Sequence, residues 1–377
     1  MSPTPVTFTS PVLPTSYAWE ATNEQVAERY RVPIESIVRF DLNTSPTPPA
    51  LVDRLLAAGQ FDAPLSEYPP SDYRRLTEAA AARYGVSTDE ILVGAGADEI
   101  LDLVAKAFLA EGARAVLPAP TYAMYRVLTE QRGAEVVAVP RRPATEGWAL
   151  DVDAVRDAAR GSAVVWLCSP NNPTALAEPP GVIEALLEGL AANAAEPPIV
   201  VLDEAYAEFV GTTLLPLRDV YPRLVVVRTA SKAYALAGLR VGFAIAKPEI
   251  IARMNPYRPP GSVSTVSVTI VTEALRNAAI LEGNLARVEH ERDRLTAALT
   301  VAGWSVGPSE TNFLLIDFGT PERSAATAED LLSRGLVPRT FPAGHPLAAY
   351  LRLTVRDRHE NDRVIEAAGQ LSSETRA

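Results

Sequence analysis

Lysine is nearly missing from this chain: Lys106, Lys232 and Lys247 are the three lysines among 35 lysines and arginines. Cysteine is scarcer still. Cys168 is the sole one in 377 residues, so no internal disulfide can form, which suits a reducing compartment. The three histidines, His290, His345 and His359, all fall in the C-terminal third. They form no metal-ligand cluster and none accompanies a serine nucleophile elbow, so a metal site and a serine hydrolase are both set aside. A basic face is lacking too, and the net charge of −11 speaks against nucleic acid or an anionic membrane as partner. No apolar run approaches the roughly 20 residues of a membrane span. Met1–Pro5 opens without the basic start and apolar stretch of a signal peptide. A cytoplasmic protein is expected.

What is present describes a globular chain. Apolar residues make up 47% and charged residues 21%, with no long charge block. The length exceeds one ordinary core and fits two domains. Residues 1–45, proline-rich, are expected to be an N-terminal arm associated with the smaller domain, with one short helical pattern around Asn23–Tyr30. Residues 46–260 read as the large domain. There Ser71 can cap a helix running to Tyr84 and stopping at Gly85. Apolar strands then alternate with helices: Ile91–Gly94, a helix from Ala97 to Leu109, Ala115–Leu117, a helix from about Thr121 to Gln131, and Glu135–Val139. After one more helix come Val164–Cys168, a helix over Val182–Ala192, Ile199–Leu202, Leu224–Val227 and Val241–Ile245. Continuous Val/Ile/Leu runs between helices predict an α/β fold, a mostly parallel sheet covered on both faces in three layers. Ligands of such sheets bind beyond the carboxyl ends of the strands. Residues 261–377 read as a smaller α+β domain: a long helix over Val263–Ala302, strands at Asn312–Ile316, Gly335–Arg339 and Leu351–Val355, and a last helix from about His359.

The candidate chemistry lies at the strand ends. Where arginine carries most of the positive charge, a retained lysine points to work that an arginine cannot do, since an amine can become a neutral nucleophile and close an imine on an aldehyde. Lys232 ends an apolar strand-like run, and Arg240 follows eight residues later. Fully extended, those eight residues would span roughly 26–29 Å. Ala233–Leu239 must therefore fold back for both cations to grip one small molecule, a bend that Gly238 should ease. Thr229 and Ser231 add hydroxyl donors. Together they suggest a Schiff-base lysine for a phosphorylated aldehyde cofactor. A free lysine titrates about three units above neutrality, roughly 4 kcal/mol against its reactive form. Burial and Arg240 are expected to lower that cost.

Asp203 and Tyr206 follow the strand Ile199–Leu202 and would face opposite sides if the chain stayed extended. The backbone must leave β conformation near Glu204–Ala205 for them to share a ligand. Asp203 could be a plain turn or helix cap, or a buried carboxylate that keeps a pyridine nitrogen protonated and so makes the ring an electron sink. Ser169–Thr174 is either a simple turn or a loop offering the Asn172 amide to a phenolic oxygen. Gly94–Glu99 lacks the third glycine of the dinucleotide fingerprint, but a glycine turn opening a helix still presents free N–H groups to an anion.

In their order and spacing over residues 68–245, these segments resemble the fold-type I pyridoxal-phosphate aminotransferases, and within them most resemble the histidinol-phosphate subgroup. The matching stretches are Gly96–Glu99, Pro120–Tyr125, Ser169–Thr174, Asp203–Tyr206 and Arg228–Arg240, with the tail Leu351–Val355. The resemblance implies pyridoxal 5'-phosphate held as an imine by Lys232, which also shuttles the proton. Asp203 would pair with the pyridine nitrogen, Asn172 and Tyr206 would hold the phenolic oxygen, and Tyr122 would stack on the ring. Ala97, Asp98, Thr229, Ser231 and Arg240 would bind the cofactor phosphate. Tyr68 would reach the neighbouring subunit's phosphate site, which implies a homodimer. Arg352 would take the substrate's carboxylate or phosphate, Arg339 would be a second anion contact, and Tyr17 would reach in from the arm. The partners implied are a small amino donor, histidinol phosphate first, and a 2-oxo acid such as 2-oxoglutarate.

Two departures stand out. Ala175 replaces the glycine after Asn-Pro-Thr, so that turn is expected to take another path. Leu42–Pro46 replaces an Asn-Pro-Tyr-Gly-like segment. The competing readings are an aminotransferase for aromatic or other amino acids, a decarboxylase of a phosphorylated amino acid on the same scaffold, and a non-catalytic cofactor-binding regulator. The regulator would call for a nucleic-acid-binding segment that this chain lacks.

Overall fold

Twelve strands alternate with helices in the computed structural model, which describes residues 15–192 and 196–374. Residues 1–14, with the Met1–Pro5 opening and the first part of the expected arm, lie outside them. In chain order the strands are β1 (Val38–Arg39), β2 (Ile91–Gly94), β3 (Arg114–Ala119), β4 (Glu135–Pro140), β5 (Val164–Cys168), β6 (Ile199–Asp203), β7 (Leu224–Thr229), β8 (Gly242–Ile245), β9 (Ser305–Val306), β10 (Phe313–Asp317), β11 (Leu336–Val337) and β12 (Tyr350–Thr354).

Seven of them form the large sheet in the order β2-β8-β7-β6-β5-β3-β4. Every strand in it runs parallel except β8, which is antiparallel to both β2 and β7. The central strands β5, β6 and β7 are buried along their whole length, as expected of a sheet covered on both sides. Alternate side chains enter two cores. Val165, Leu167, Val200 and Leu202 meet the helices Arg74–Tyr84, Val182–Ala192 and Thr265–Arg276. Val164, Trp166, Ile199 and Val201 meet Gly96–Phe108, Met124–Gln131 and Pro248–Met254. Each large apolar side chain so buried contributes about 2 kcal/mol.

The C-terminal part has its own core. There β12, β10 and β9 form an antiparallel sheet, and Leu314, Ile316, Leu351 and Leu353 pack with Leu295, Leu331 and Val364 of its helices. Val38 and Phe40 enter the same core, and β1 pairs in parallel with β11.

Some elements differ from the sequence reading. The helix expected from Ser71 begins at Arg74, behind a left-handed Tyr73 with no side-chain cap. Pro69 and Pro70 stand just before, and the Tyr73 N–H closes a turn on the Pro70 carbonyl instead. The helix expected from Thr121 begins at Met124. The long helix over Val263–Ala302 is two, Thr265–Arg276 and Ala278–Val301, because Asn277 takes an extended conformation between them. Four helices escaped the reading: the short Ala207–Val210 and Pro248–Met254, and the longer Ala50–Ala58 and Pro321–Ser333. Ala50–Ala58 buries no residue fully and Pro321–Ser333 only Ser324, Ala328 and Leu331, so neither of these two shows a strong apolar stripe.

Candidate active site

Because β5, β6 and β7 run parallel, the residues just past their last positions arrive at one edge of the sheet. That edge collects Asn172 after β5, Asp203 at the end of β6 with Tyr206 after it, and Thr229 at the end of β7 with Ser231 and Lys232 after it. The glycine turn at the end of β2 and Tyr122 after β3 join them. The chain leaves β conformation at Glu204 and turns through Ala205–Tyr206, as the shared-ligand reading of Asp203 and Tyr206 requires.

Lys232 is faced by two cations and two acids. Among the described residues its amine has one hydrogen bond, a long 3.4 Å contact to the Leu42 carbonyl, and it stands 5.9 Å from the Tyr206 ring centre. Burial pulls its pKa down to about 8, helped by Arg352 and then by Arg240, against the opposing pull of Asp98 and Asp203. The largest charged neighbour is thus Arg352, from the far end of the chain, rather than the Arg240 that sequence proximity suggested.

Asp203 is 3% exposed. Its Oδ1 accepts the Ala205 N–H at 3.0 Å and its Oδ2 accepts the Tyr125 hydroxyl at 2.8 Å. Burial raises its pKa to about 6, although Tyr125 and the Ala205 N–H oppose the rise. Tyr206 accepts a 3.0 Å bond from Asn43 Nδ2, and burial holds its phenol well above the usual range, so the O–H stays available as a donor.

At the other end of the cleft, Gly96–Phe108 presents its N-terminus. Arg240 Nη2 is 3.3 Å from Asp98, and the Tyr122 hydroxyl donates to the other Asp98 oxygen at 2.9 Å. Thr229 Oγ1 lies 2.9 Å from Ser231 Oγ. A Cβ on Gly242 would stand 2.6 Å from the Ala97 nitrogen, and one on Gly96 would strike the Arg240 guanidinium. The two glycines therefore let β8, the helix start and Arg240 approach one another closely. The bend that returns Arg240 beside Lys232 does not use Gly238, whose φ is not positive; Ala235 (φ 57°) and Arg240 itself (φ 52°) adopt the left-handed conformation instead. Ala175 likewise has a left-handed φ of 67°, a conformation that glycine adopts at no steric cost. Its methyl is fully buried against Ala205, Tyr206 and Phe313, which offsets the strain.

Arg352 closes the cleft. It is 5% exposed; its Nη1 donates to Asn172 Oδ1 at 2.6 Å, its Nη2 to the Asp41 carbonyl, and its Nε has no partner among the described residues. Burial depresses its pKa, and no carboxylate forms an ion pair with it among the described residues. A buried, incompletely bonded guanidinium of this kind calls for an anion. Arg339 differs: its Nη1 donates to the Ala18 carbonyl at 2.7 Å and lies 3.6 Å from Glu20. Arg339 also lies over the Tyr17 ring at 5.2 Å, and Tyr17 sits 6.3 Å from Tyr122.

Sequence comparison supplies the deciding observation. The family model of aminotransferase class I and II matches residues 37–367. This chain belongs to that family.

Two curated relatives show how far the likeness runs through this aminotransferase. The histidinol-phosphate aminotransferase of Thermococcus gammatolerans is 37% identical over 336 residues, 89% of this chain and 92% of that one. That of Symbiobacterium thermophilum is 36% identical over 339 residues, 89% and 90% of the two chains. The crystal structure of histidinol-phosphate aminotransferase from Sinorhizobium meliloti in complex with pyridoxal-5'-phosphate superimposes with a TM-score of 0.85 at 24% identity. It covers 95% of this chain and 96% of that one.

Of the residues expected in the aminotransferase site, one stands apart. Tyr68 is 90% exposed and lies beside Gly261. Three neighbours of the site escaped sequence reading. Asn43 and Leu42 come from the segment that departs from the family pattern, and Tyr125 sits inside the quoted Pro120–Tyr125 stretch. Its place three residues after Tyr122, on the first turn of the helix, was the available signal. Among the described residues no helix is long and apolar enough to cross a membrane, and no group of His, Cys, Asp and Glu could hold a metal ion.

Proposed function

We propose that this aminotransferase binds pyridoxal 5'-phosphate on Lys232 and moves an amino group between a phosphorylated amino alcohol, histidinol phosphate, and 2-oxoglutarate. The observation that carries the reading is the buried Arg352, a cation with an unpartnered Nε on the same cleft as a lysine titrating near 8. The residues fit the cofactor. The start of the helix Gly96–Phe108, with the N–H groups of Ala97 and Asp98 and with Thr229, Ser231 and Arg240 nearby, suits its phosphate. Asn172 and Tyr206 suit its phenolic oxygen, Asp203 its ring nitrogen and Tyr122 its ring face.

When bound, the cofactor supplies an electron sink for the carbanion left by loss of the α-proton. The chain's own groups do the rest. Asp203, both oxygens anchored, keeps a negative charge where the ring nitrogen would sit. Lys232, neutral in an appreciable fraction near pH 8, takes the α-proton at Nζ and would return it to the carbon on the far side of the amino nitrogen. Arg352 binds the substrate anion and fixes which hydrogen faces Lys232, and Arg339 adds a second anion contact. Tyr17 on its strap, held by Arg339, screens the cleft from water. The described part of the arm, residues 15–45, acts with the small C-terminal domain as one unit beside the large domain of residues 46–260, since β1 pairs with β11 and Val38 and Phe40 enter the C-terminal core. The exposed Tyr68 serves the phosphate site of a second copy in a homodimer.

A half-reaction screen tests this reading. Amino donors, including histidinol phosphate, are mixed with the cofactor-loaded protein while its absorption is followed. A shift to the amine form with histidinol phosphate is expected. Other donors shifting the spectrum while histidinol phosphate does not would overturn the substrate assignment.

A further inference from the structure

Tyr125 touches the site from beneath, and none of the roles above employs it. It is wholly buried, yet its hydroxyl is spent on Asp203 Oδ2 at 2.8 Å. The ring cannot turn away. It stacks on Trp166 with centres 5.5 Å apart and planes 4° from parallel. Trp166 Nε1 donates to Thr129 Oγ1 at 3.1 Å, and that hydroxyl donates back to the Tyr125 carbonyl at 2.7 Å. The helix Met124–Gln131 and strand β5 thus lock one phenolic O–H in a fixed direction.

We propose that Tyr125 is a positioning residue that holds Asp203 as an aimed carboxylate for the ring nitrogen. The proposal rests on the reading of Asp203 given above. Asp203 is faced by Asp98 at the helix start, by Lys232 past β7, by Cys168 at the end of β5 and by Tyr206 on its own turn. Asp98 pushes it toward the protonated acid and Lys232 toward the carboxylate. Among the described residues, the hydrogen bonds to its oxygens come from Tyr125 and the Ala205 N–H. Burial and the neighbouring carboxylate hold the Tyr125 phenol protonated, so it remains a donor and never a second anion. Without that donor the carboxylate becomes the stronger base, and a proton shared with the ring nitrogen moves onto Asp203.

The experiment compares wild type, Tyr125→Phe, Asp203→Asn and the double variant. Melting of the cofactor-free protein is followed from pH 4.5 to 8, together with the ring-nitrogen NMR signal of bound 15N-labelled pyridoxal phosphate. In Tyr125→Phe the midpoint of the Asp203-dependent change in melting should rise by about one pH unit or more. The nitrogen signal should move toward that of an unprotonated pyridine. In the Asp203→Asn background the same replacement should leave the pH profile flat. Tyr125→Phe keeps the ring and its stack, so a packing role alone would move neither readout, and two unchanged readouts overturn the proposal. Should Tyr125→Phe not fold, 3,5-difluorotyrosine at position 125, a stronger donor, should lower the midpoint; an unmoved midpoint overturns the proposal equally. A shifted melting profile in a protein that takes up no pyridoxal phosphate would refute the cofactor assignment and leave the grip of Tyr125 on Asp203 standing.

Discussion

Arg339 and Arg352 are cross-strand neighbours: each donates its backbone N–H to the other's carbonyl at 3.0 Å. The pairing sets two guanidinium-bearing side chains on one face, and like charges so placed repel unless an anion answers them. Glu20 partly answers Arg339, while Arg352 has only neutral partners in its hydrogen bonds.

Arg352→Lys should therefore not rescue function, because one ammonium cannot reach Asn172, the Asp41 carbonyl and a substrate anion together. A rise in KM of about 10- to 150-fold is expected, the loss of one charge-assisted hydrogen bond. Arg339→Gln should cost less. The two effects should miss additivity by at least about 0.5 kcal/mol, since the residues adjoin. Steady-state kinetics of the single and double variants check this.

The amine of Lys232 must be neutral to capture an aldehyde, and its pKa is about 8. The rate at which cofactor-free protein takes up pyridoxal phosphate should fall about tenfold per pH unit below that value and level off above it. Stopped-flow absorbance across pH 6–9.5 measures the profile. Lys232→Ala should trap no adduct at this position with borohydride and lose at least about 10²–10⁴-fold in activity with its proton shuttle.

Asp203 costs stability in the cofactor-free fold. Its pKa in the fold is about 6 against an ordinary 3.8, so the fold favours the protonated form. Stability is full below about pH 4, is lost as pH rises through about 6, and the loss reaches at most roughly 3 kcal/mol above it. Asp203→Asn should raise the melting temperature of the cofactor-free protein at pH 7.5, leave it little changed at pH 4, and abolish most activity. Calorimetry at the two pH values decides it.

Gly242→Ala would place a methyl group 2.6 Å from the Ala97 nitrogen, and that neighbour is backbone, which cannot swing aside. A loss of about 1–3 kcal/mol is expected, with weaker cofactor retention because the helix start must move. Chemical denaturation and dialysis against cofactor-free buffer measure both.

Much of the large sheet was legible because its strands are continuous apolar runs, and a buried parallel strand needs little else. Lys232, Asp203, Asn172 and Thr229 could be placed from the chain because each follows such a run, and parallel strands end at one edge. Helix starts were misjudged where prolines and a left-handed Tyr73 replaced a side-chain cap. Pro321–Ser333 was missed because it buries only one narrow strip.

The sequence by itself determined the layered sheet and the family, since these follow from local periodicity and from motifs carried on neighbouring residues. Tertiary structure alone decided the electrostatics of the cleft. Arg352 lowers the Lys232 pKa from 120 positions away, Tyr125 anchors Asp203 across 78, and Asn43 reaches Tyr206 across 163. Charge and hydrogen bonding act through space and depend on burial, and neither distance nor burial is written in the order of residues along a chain.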